Sequence, residues 1–366
     1  MADDEVRQQE FGERLLDAMV ASAELLTIEL GRRLGLYQAL AGGEPADAPA
    51  LARRAGIAER YAREWLEQQA AAGILEVAPT AAADVGERAY HLPAAIEPLL
   101  LDPEHPAFLM GVPPLMQSIA ATLPAVETAF REGGGVAYAA FGPELRYGIA
   151  ALNRPGYTND LRSWIEALPD VAERLAAGGT VLDAGSGVGW STIALARAFP
   201  EARVIGVDLD AASVAEATAN AAGAGVPTDR LRFETVDAAG YQPGTVDLVT
   251  VFEALHDMAD PVGVLAGFRR ALAPGGAVLV ADEKVADEFV APAGADERLQ
   301  YAISVLHCLP ATMAEKAAID AAGGRGIANG TVLRAPTVRR WAREAGFDAV
   351  TELSVDHRFW RFYRLD

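Results

Sequence analysis

Apolar residues recur at helical spacing early in the chain: Leu15, Leu16, Met19 and Val20, then Leu25, Leu26, Ile28 and Leu30. Gly42-Gly43 and Pro45 break that run. A helix over 48–55, a turn at Gly56-Ile57, a second helix over about 58–72 closed by Gly73, and a short strand at 74–77 come next. This order predicts a helix-turn-helix with a wing over 78–92. Residues 93–175 read as helical with interruptions. Gly133-Gly134-Gly135 is expected as a joint, and Arg154-Pro155-Gly156-Tyr157 as a turn before a helix near 161–168.

The period changes after Gly178-Gly179. Short apolar runs at 180–183, 204–208, 231–237, 246–252 and 277–282 alternate with helical segments at 191–198, 211–222 and 262–272. Alternation of this kind indicates an open parallel α/β sheet, which binds ligands outside the carboxyl ends of its strands. A helix at 337–345 precedes two last strands, 350–356 and 359–365. Their connection is too short for a parallel crossover, so the final strand is expected to run antiparallel. Three regions follow: 1–95, a winged-helix domain; 96–175, a helical linker that covers a pocket; and 176–366, the α/β domain.

Composition narrows the functional classes. Just over half of the 366 residues are apolar, and the formal net charge is −20. A field of that sign disfavours nucleic acid and anionic membranes as partners. No apolar run is long enough for a membrane span, and the acidic start Met1-Ala2-Asp3-Asp4-Glu5 does not read as a signal peptide. A lone cysteine, Cys308, forms no intramolecular disulfide. Cytoplasmic localisation is the expectation.

The first α/β strand runs into Asp183-Ala184-Gly185-Ser186-Gly187-Val188-Gly189. A dinucleotide fingerprint would need a glycine where Trp190 stands, and the lysine of a phosphate-binding P-loop is missing. Asp183 would oppose a pyrophosphate but suits a cationic amino group. Asp208 ends the second strand, where a carboxylate can accept both hydroxyls of a ribose. Asp237 ends the third and can accept from an adenine amino group. Phe252 ends the fourth.

These residues resemble class I S-adenosylmethionine-dependent methyltransferases over about 180–366. The resemblance lies in the Val-Leu-Asp-Ala-Gly-Ser-Gly-Val-Gly loop, the Gly-Val-Asp strand end, the Asp-Leu-Val strand and the Leu-Ala-Pro-Gly-Gly turn. It implies a Rossmann-like seven-stranded methyltransferase sheet, α/β in class, behind an N-terminal all-helical winged-helix domain. It also implies S-adenosyl-L-methionine as cofactor and S-adenosyl-L-homocysteine as product. Cofactor contacts are expected from Asp183, Gly185, Ser186, Gly187, Asp208, Leu209, Asp237, Ala238 and Phe252.

His256, in Phe252-Glu253-Ala254-Leu255-His256-Asp257-Met258, lies just past the fourth strand. An imidazole titrating near neutrality can take a hydroxyl proton there. The segment resembles the His-Asp-Trp motif of winged-helix O-methyltransferases, in which the histidine is the base. Met258 replaces the tryptophan. Packing against the following helix is the competing reading of His256. Glu283 is a candidate for steering the base. Tyr138, Tyr157, Glu283 and His307 are candidates for an acceptor pocket, and His307 sits in an apolar insertion at 299–309. The histidines and Cys308 show no metal-ligand spacing, and Asp257 with Asp282 is too thin a basis for magnesium, so no metal is expected.

Arg60 and Arg63 on the second winged-helix helix share it with Glu59, Glu64 and Glu67, a poor face for DNA. The domain resembles the one that joins O-methyltransferase subunits, which implies a homodimer. The expected activity is methylation of a small hydrophobic or aromatic acceptor, most readily at oxygen. A transcriptional regulator sensing the cofactor and a non-methylating relative are the alternatives.

Overall fold

The computed structural model describes residues 2–79, 88–241 and 244–366. Most of the expected wing, 80–87, lies outside them. The chain forms two compact units, 1–117 with 147–155, and 118–146 with 156–366. The middle segment expected as a separate linker is therefore divided between the two.

The first unit opens with α1 (Ala2–Arg33), followed by α2 (Leu36–Leu40), α3 (Ala48–Ala55) and α4 (Glu59–Ala71). Asp47 caps α3 by accepting from the Ala50 amide, and Gly56 ends it in the left-handed region at φ 68°. The turn between α3 and α4 stands where the glycine predicted it. The domain is not wholly helical: β1 (Glu76–Val77) pairs antiparallel with β2 (Tyr90–His91). Then comes α5 (Glu97–Leu101). Leu36, Tyr37, Leu40, Leu51, Trp65, Leu66 and Leu92 form this unit's core. The middle of α1 is different: Leu15, Leu16, Met19 and Val20 are all about half exposed or more (49–62%).

Two long helices contribute to both units, α6 (Val112–Glu132) and α7 (Pro143–Asn159). The turn expected at Arg154–Tyr157 is instead inside α7, with Pro155 in its interior. A proline there removes one backbone bond. Burial of Leu145, Ala151 and Tyr157 along the same helix outweighs that loss.

The second unit continues with α8 (Leu161–Glu166) and α9 (Pro169–Ala176) and then the sheet. In chain order its elements are β3 (Thr180–Ala184), α10 (Trp190–Ala198), β4 (Arg203–Asp208), α11 (Ala211–Gly223), β5 (Leu231–Thr235) and β6 (Val246–Phe252). These are followed by α12 (Pro261–Ala271), β7 (Leu272–Glu283), α13 (Ala295–Ile303), α14 (Leu309–Ala321), α15 (Ala335–Glu344), β8 (Val350–Glu352) and β9 (Trp360–Leu365). The seven strands lie in the order β5-β4-β3-β6-β7-β9-β8. β9 is antiparallel to both neighbours, as the short final connection requires. β3, β6 and β7 are buried on both faces, so they read as continuous apolar runs. The strand order reverses between β3 and β6, the point at whose carboxyl edge open α/β sheets bind their ligands. No described helix is long and apolar enough to cross a membrane.

Candidate active site

The glycine loop leaves β3 at the reversal point. Gly185 takes φ 73°, and a Cβ on it would lie 2.6 Å from that of Ala254 beyond β6. Only glycine lets the loop pass this close to the neighbouring strand end. Gly187 differs: at φ 51° it faces open space, so its bareness serves an approaching ligand and not internal packing. The Ser186 hydroxyl is buried without a partner beside it. An orphaned donor and an open glycine at the carboxyl edge suit the methionine and ribose portion of an adenosyl cofactor.

Asp183 does not face that space. Its carboxylate is buried and accepts from Ser191 Oγ (2.6 Å), Thr192 Oγ1 (2.7 Å) and Thr250 Oγ1 (2.7 Å). Burial raises its pKa, and these hydroxyls oppose the rise. Through these hydroxyls Asp183 ties β3 to α10 and β6. Asp208, at the end of β4, accepts from the Gly187 amide (2.8 Å) on one oxygen and the Asp210 amide (2.9 Å) on the other. Each oxygen keeps a lone pair, so both can still take a ribose hydroxyl. Leu209 is 58% exposed next to it. Asp237 is exposed beyond β5 and accepts from the Ala239 amide (2.8 Å), with Ala238 partly buried alongside.

Two expected contacts belong to the core. Phe252 packs with Tyr157 (ring centroids 5.7 Å apart) and Trp164 (6.0 Å), and Tyr157 also meets Trp360 (6.0 Å). Both rings belong to the main core cluster of this unit. The residue after Phe252, Glu253, holds φ 50°, a strained value for a side-chain-bearing residue and one that recurs at functional sites.

His256 sits in a 3-10 turn directly beyond β6, 2% exposed. Its Nδ1 lies 2.8 Å from Asp282 Oδ1, and its backbone amide donates to Asp282 Oδ2 at 3.2 Å. Asp282 is thus the acid that holds the imidazole. Glu283, the expected candidate, is one residue further along β7 and bonds Gln300 instead. Neighbours on a strand point to opposite faces, so only one of the two can reach the imidazole. Burial pulls the His256 pKa down, but the charges of Asp282 and Asp257 outweigh it and hold the imidazole well above its ordinary range. In the neutral ring, with Nδ1–H given to Asp282, Nε2 carries the lone pair. Burial, and then the charge of Glu253, push the Glu283 carboxyl well up.

Tyr138 is partly buried, and burial together with the charges of Asp208, Asp257 and Asp210 raises its phenol. Its hydroxyl thus feels both the ribose-side acid and the acid beside His256. His307 packs against the Phe141 ring (4.6 Å) and the Tyr138 ring (5.9 Å). It lies in a π-helical turn, Ser304–Cys308, between α13 and α14, and its Nε2 is buried and unpartnered. Burial lowers its pKa. The same turn carries Cys308 to within reach of His256 and Asp257, a grouping that sequence spacing did not suggest. Glu315 on α14 carried no signal in the sequence: burial, with Asp237, Asp257 and Asp260 nearby, raises it to about 7.

Residues 175–323 match the model of a methyltransferase domain, and 21–100 match that of the Rv2258c-like winged helix-turn-helix domain. A ubiquinone biosynthesis O-methyltransferase of Pseudomonas paraeruginosa is 34% identical over 123 residues, 33% of this chain and 50% of that protein. The chain spans about half the length, or less, of the curated relatives it matches. Among solved structures, the mitomycin 7-O-methyltransferase MmcR superposes with a TM-score of 0.67 at 18% identity, covering 99% of each chain. Human N-acetylserotonin methyltransferase, solved with S-adenosylmethionine, gives 0.69 at 16% identity over 97% of each. The chain therefore has the fold of these solved methyltransferases, with a stretch that matches a methyltransferase domain preceded by one that matches an Rv2258c-like winged helix-turn-helix domain.

Proposed function

We propose that this chain methylates an oxygen of a small hydrophobic or aromatic molecule, with His256 as general base. The observation that carries the reading is the buried His256–Asp282 pair at the carboxyl edge of β6 and β7, on the sheet edge that also carries the glycine loop. Bound S-adenosylmethionine supplies a methyl group on a sulfonium, which leaves as the neutral thioether of S-adenosylhomocysteine. Asp208 holds the ribose, Ser186 and Gly187 meet the chain between sugar and methionine, and Asp237 with Ala238 frames the adenine. Asp282 fixes the imidazole so that Nε2 takes the acceptor's hydroxyl proton as the new O–C bond forms. Removing that proton contributes typically 10²–10⁴-fold, and alignment of the reacting atoms supplies much of the rest.

Tyr138, His307 and Glu283 are assigned to the acceptor side. The cytoplasm is the compartment of this reading, consistent with a lone, buried thiol. We assign the exposed apolar face of α1 to a second copy of the chain. Arg60 and Arg63 on α4 are paired with Glu64 and Glu67, which favours a protein partner over DNA phosphates. Incubation of the purified chain with methyl-labelled cofactor and a panel of phenols and polyketides tests the activity. Label is expected in an O-methyl product, and cofactor binding without transfer to any acceptor would overturn the reading.

A further inference from the structure

The structure gathers three different donors at one point: a ring nitrogen of His256, an oxygen of Asp257 and Cys308 Sγ, all within 4.8 Å of one another, with Nε2 the ring nitrogen that faces Asp257. We propose that these three residues form a binding site for a zinc-class divalent cation, and that the cation competes with the proton for His256 Nε2.

The geometry is close to what such an ion needs. Zinc holds nitrogen at about 2.0–2.1 Å and carboxylate oxygen at about 2.0–2.2 Å, which puts adjacent N and O ligands on a tetrahedron roughly 3.3 Å apart. His256 Nε2 and Asp257 Oδ1 are 3.4 Å apart. Asp257 Oδ1 is buried and accepts no hydrogen bond, an acceptor left without a donor. The other imidazole nitrogen is held by Asp282 at 2.8 Å. A carboxylate behind a histidine is the support that metal-bound imidazoles use, since it fixes the tautomer and strengthens the ligand. The π-helical turn Ser304–Cys308 buries both His307 and Cys308, and it places the thiol 3.4 Å from His307 Nδ1 and within 4.8 Å of the His256 ring nitrogen. π-Bulges recur at functional sites.

Donor chemistry selects the ion. A thiolate with an imidazole favours zinc over magnesium, which prefers an all-oxygen shell. One thiolate and one carboxylate balance a double positive charge, and the thiol proton is released on binding. Three protein ligands leave a fourth position open. Because Nε2 is also the atom assigned to proton abstraction, a bound cation and an active base exclude each other. That consequence rests on the reading of His256 as base; the site itself does not.

The test uses the full chain stripped with a chelator and titrated with Co²⁺. A one-to-one rise of tetrahedral cobalt bands is expected, with a thiolate charge-transfer band in the near ultraviolet. Cys308→Ser should remove the charge-transfer band and relieve Zn²⁺ inhibition of methyl transfer while keeping cofactor affinity. Asp282→Asn should weaken Co²⁺ binding by about 10–100-fold. Should Cys308→Ser fail to fold, Asp257→Asn serves in its place and should weaken binding at least tenfold. Absence of one-to-one binding, or bands indifferent to these substitutions, overturns the site. Binding with undiminished methyl transfer overturns the competition and the base assignment together, while leaving the cation site in place.

Discussion

Asp282 grips His256 twice, through ring Nδ1 at 2.8 Å and through the backbone amide at 3.2 Å. Both residues are buried, so the pair works where water does not weaken it. An imidazole kept above its ordinary range is a stronger base, but it is free of its own proton only on the alkaline side. The acidic limb of the kcat/KM profile should therefore fall above about pH 6.5, the ordinary imidazole value, with activity rising as pH rises through it. Asp282→Asn removes the larger of the two charges that raise it and should move that limb to lower pH. His256→Asn should cut kcat by about 10²–10⁴ with little change in cofactor affinity. A pH profile unmoved in Asp282→Asn would detach this pair from catalysis.

The loop predicts a division between binding and stability. Asp208 presents its carboxylate at the end of β4, partly buried, with one amide on each oxygen. Asp208→Asn weakens any hydrogen bond to a ribose hydroxyl, and bonds to charged groups contribute about 1.5–3 kcal/mol. Calorimetric titration should show S-adenosylmethionine binding weakened about tenfold or more, with thermal stability little changed.

Asp183 should behave in the opposite way. Three hydroxyls donate to its buried carboxylate, and Asp183→Ala leaves them without their acceptor. An unsatisfied buried polar group costs about 1–3 kcal/mol, so denaturant unfolding should register a loss of at least about 3 kcal/mol. A variant as stable as the parent that fails only to bind cofactor would restore Asp183 to direct contact with the ligand.

This contrast also marks what the sequence could convey. Strand ends, glycines and acids are local features, so β3, β4 and β5 and the positions of Asp208 and Asp237 were legible from period and spacing. What lies behind them was not. Asp183 ends a strand as expected, but its partners Ser191, Thr192 and Thr250 come from α10 and β6, elements apart from its own strand. Asp282 and Glu283 are adjacent acids, and only the pleat of β7 decides which one meets His256. Cys308 reaches His256 by way of a π-helical turn, which leaves no mark in apolar spacing. Phe252 and Tyr157 join the core cluster, a placement that residue type alone does not reveal, since an aromatic serves a core as readily as a ligand.

The exposed face of α1 gives the last prediction. Leu15, Met19, Leu26 and Leu30 fall at intervals of four, seven and four, which places them along one side of the helix, with Leu16 and Val20 beside them. All six are 49–62% exposed. A contiguous apolar stripe of this length is rare on a surface that meets only water. A second copy of α1 packed across a two-fold axis would cover it with the same stripe, since such an interface is self-complementary. Leu15→Lys combined with Met19→Lys puts four like charges on that contact in a dimer. Sedimentation should show the parent as a dimer and the double variant as a monomer at the same concentration. The fold of each domain should persist, because these side chains contribute little to the cores. A parent chain that sediments as a monomer at micromolar concentration would remove the dimer and leave the stripe for a different partner.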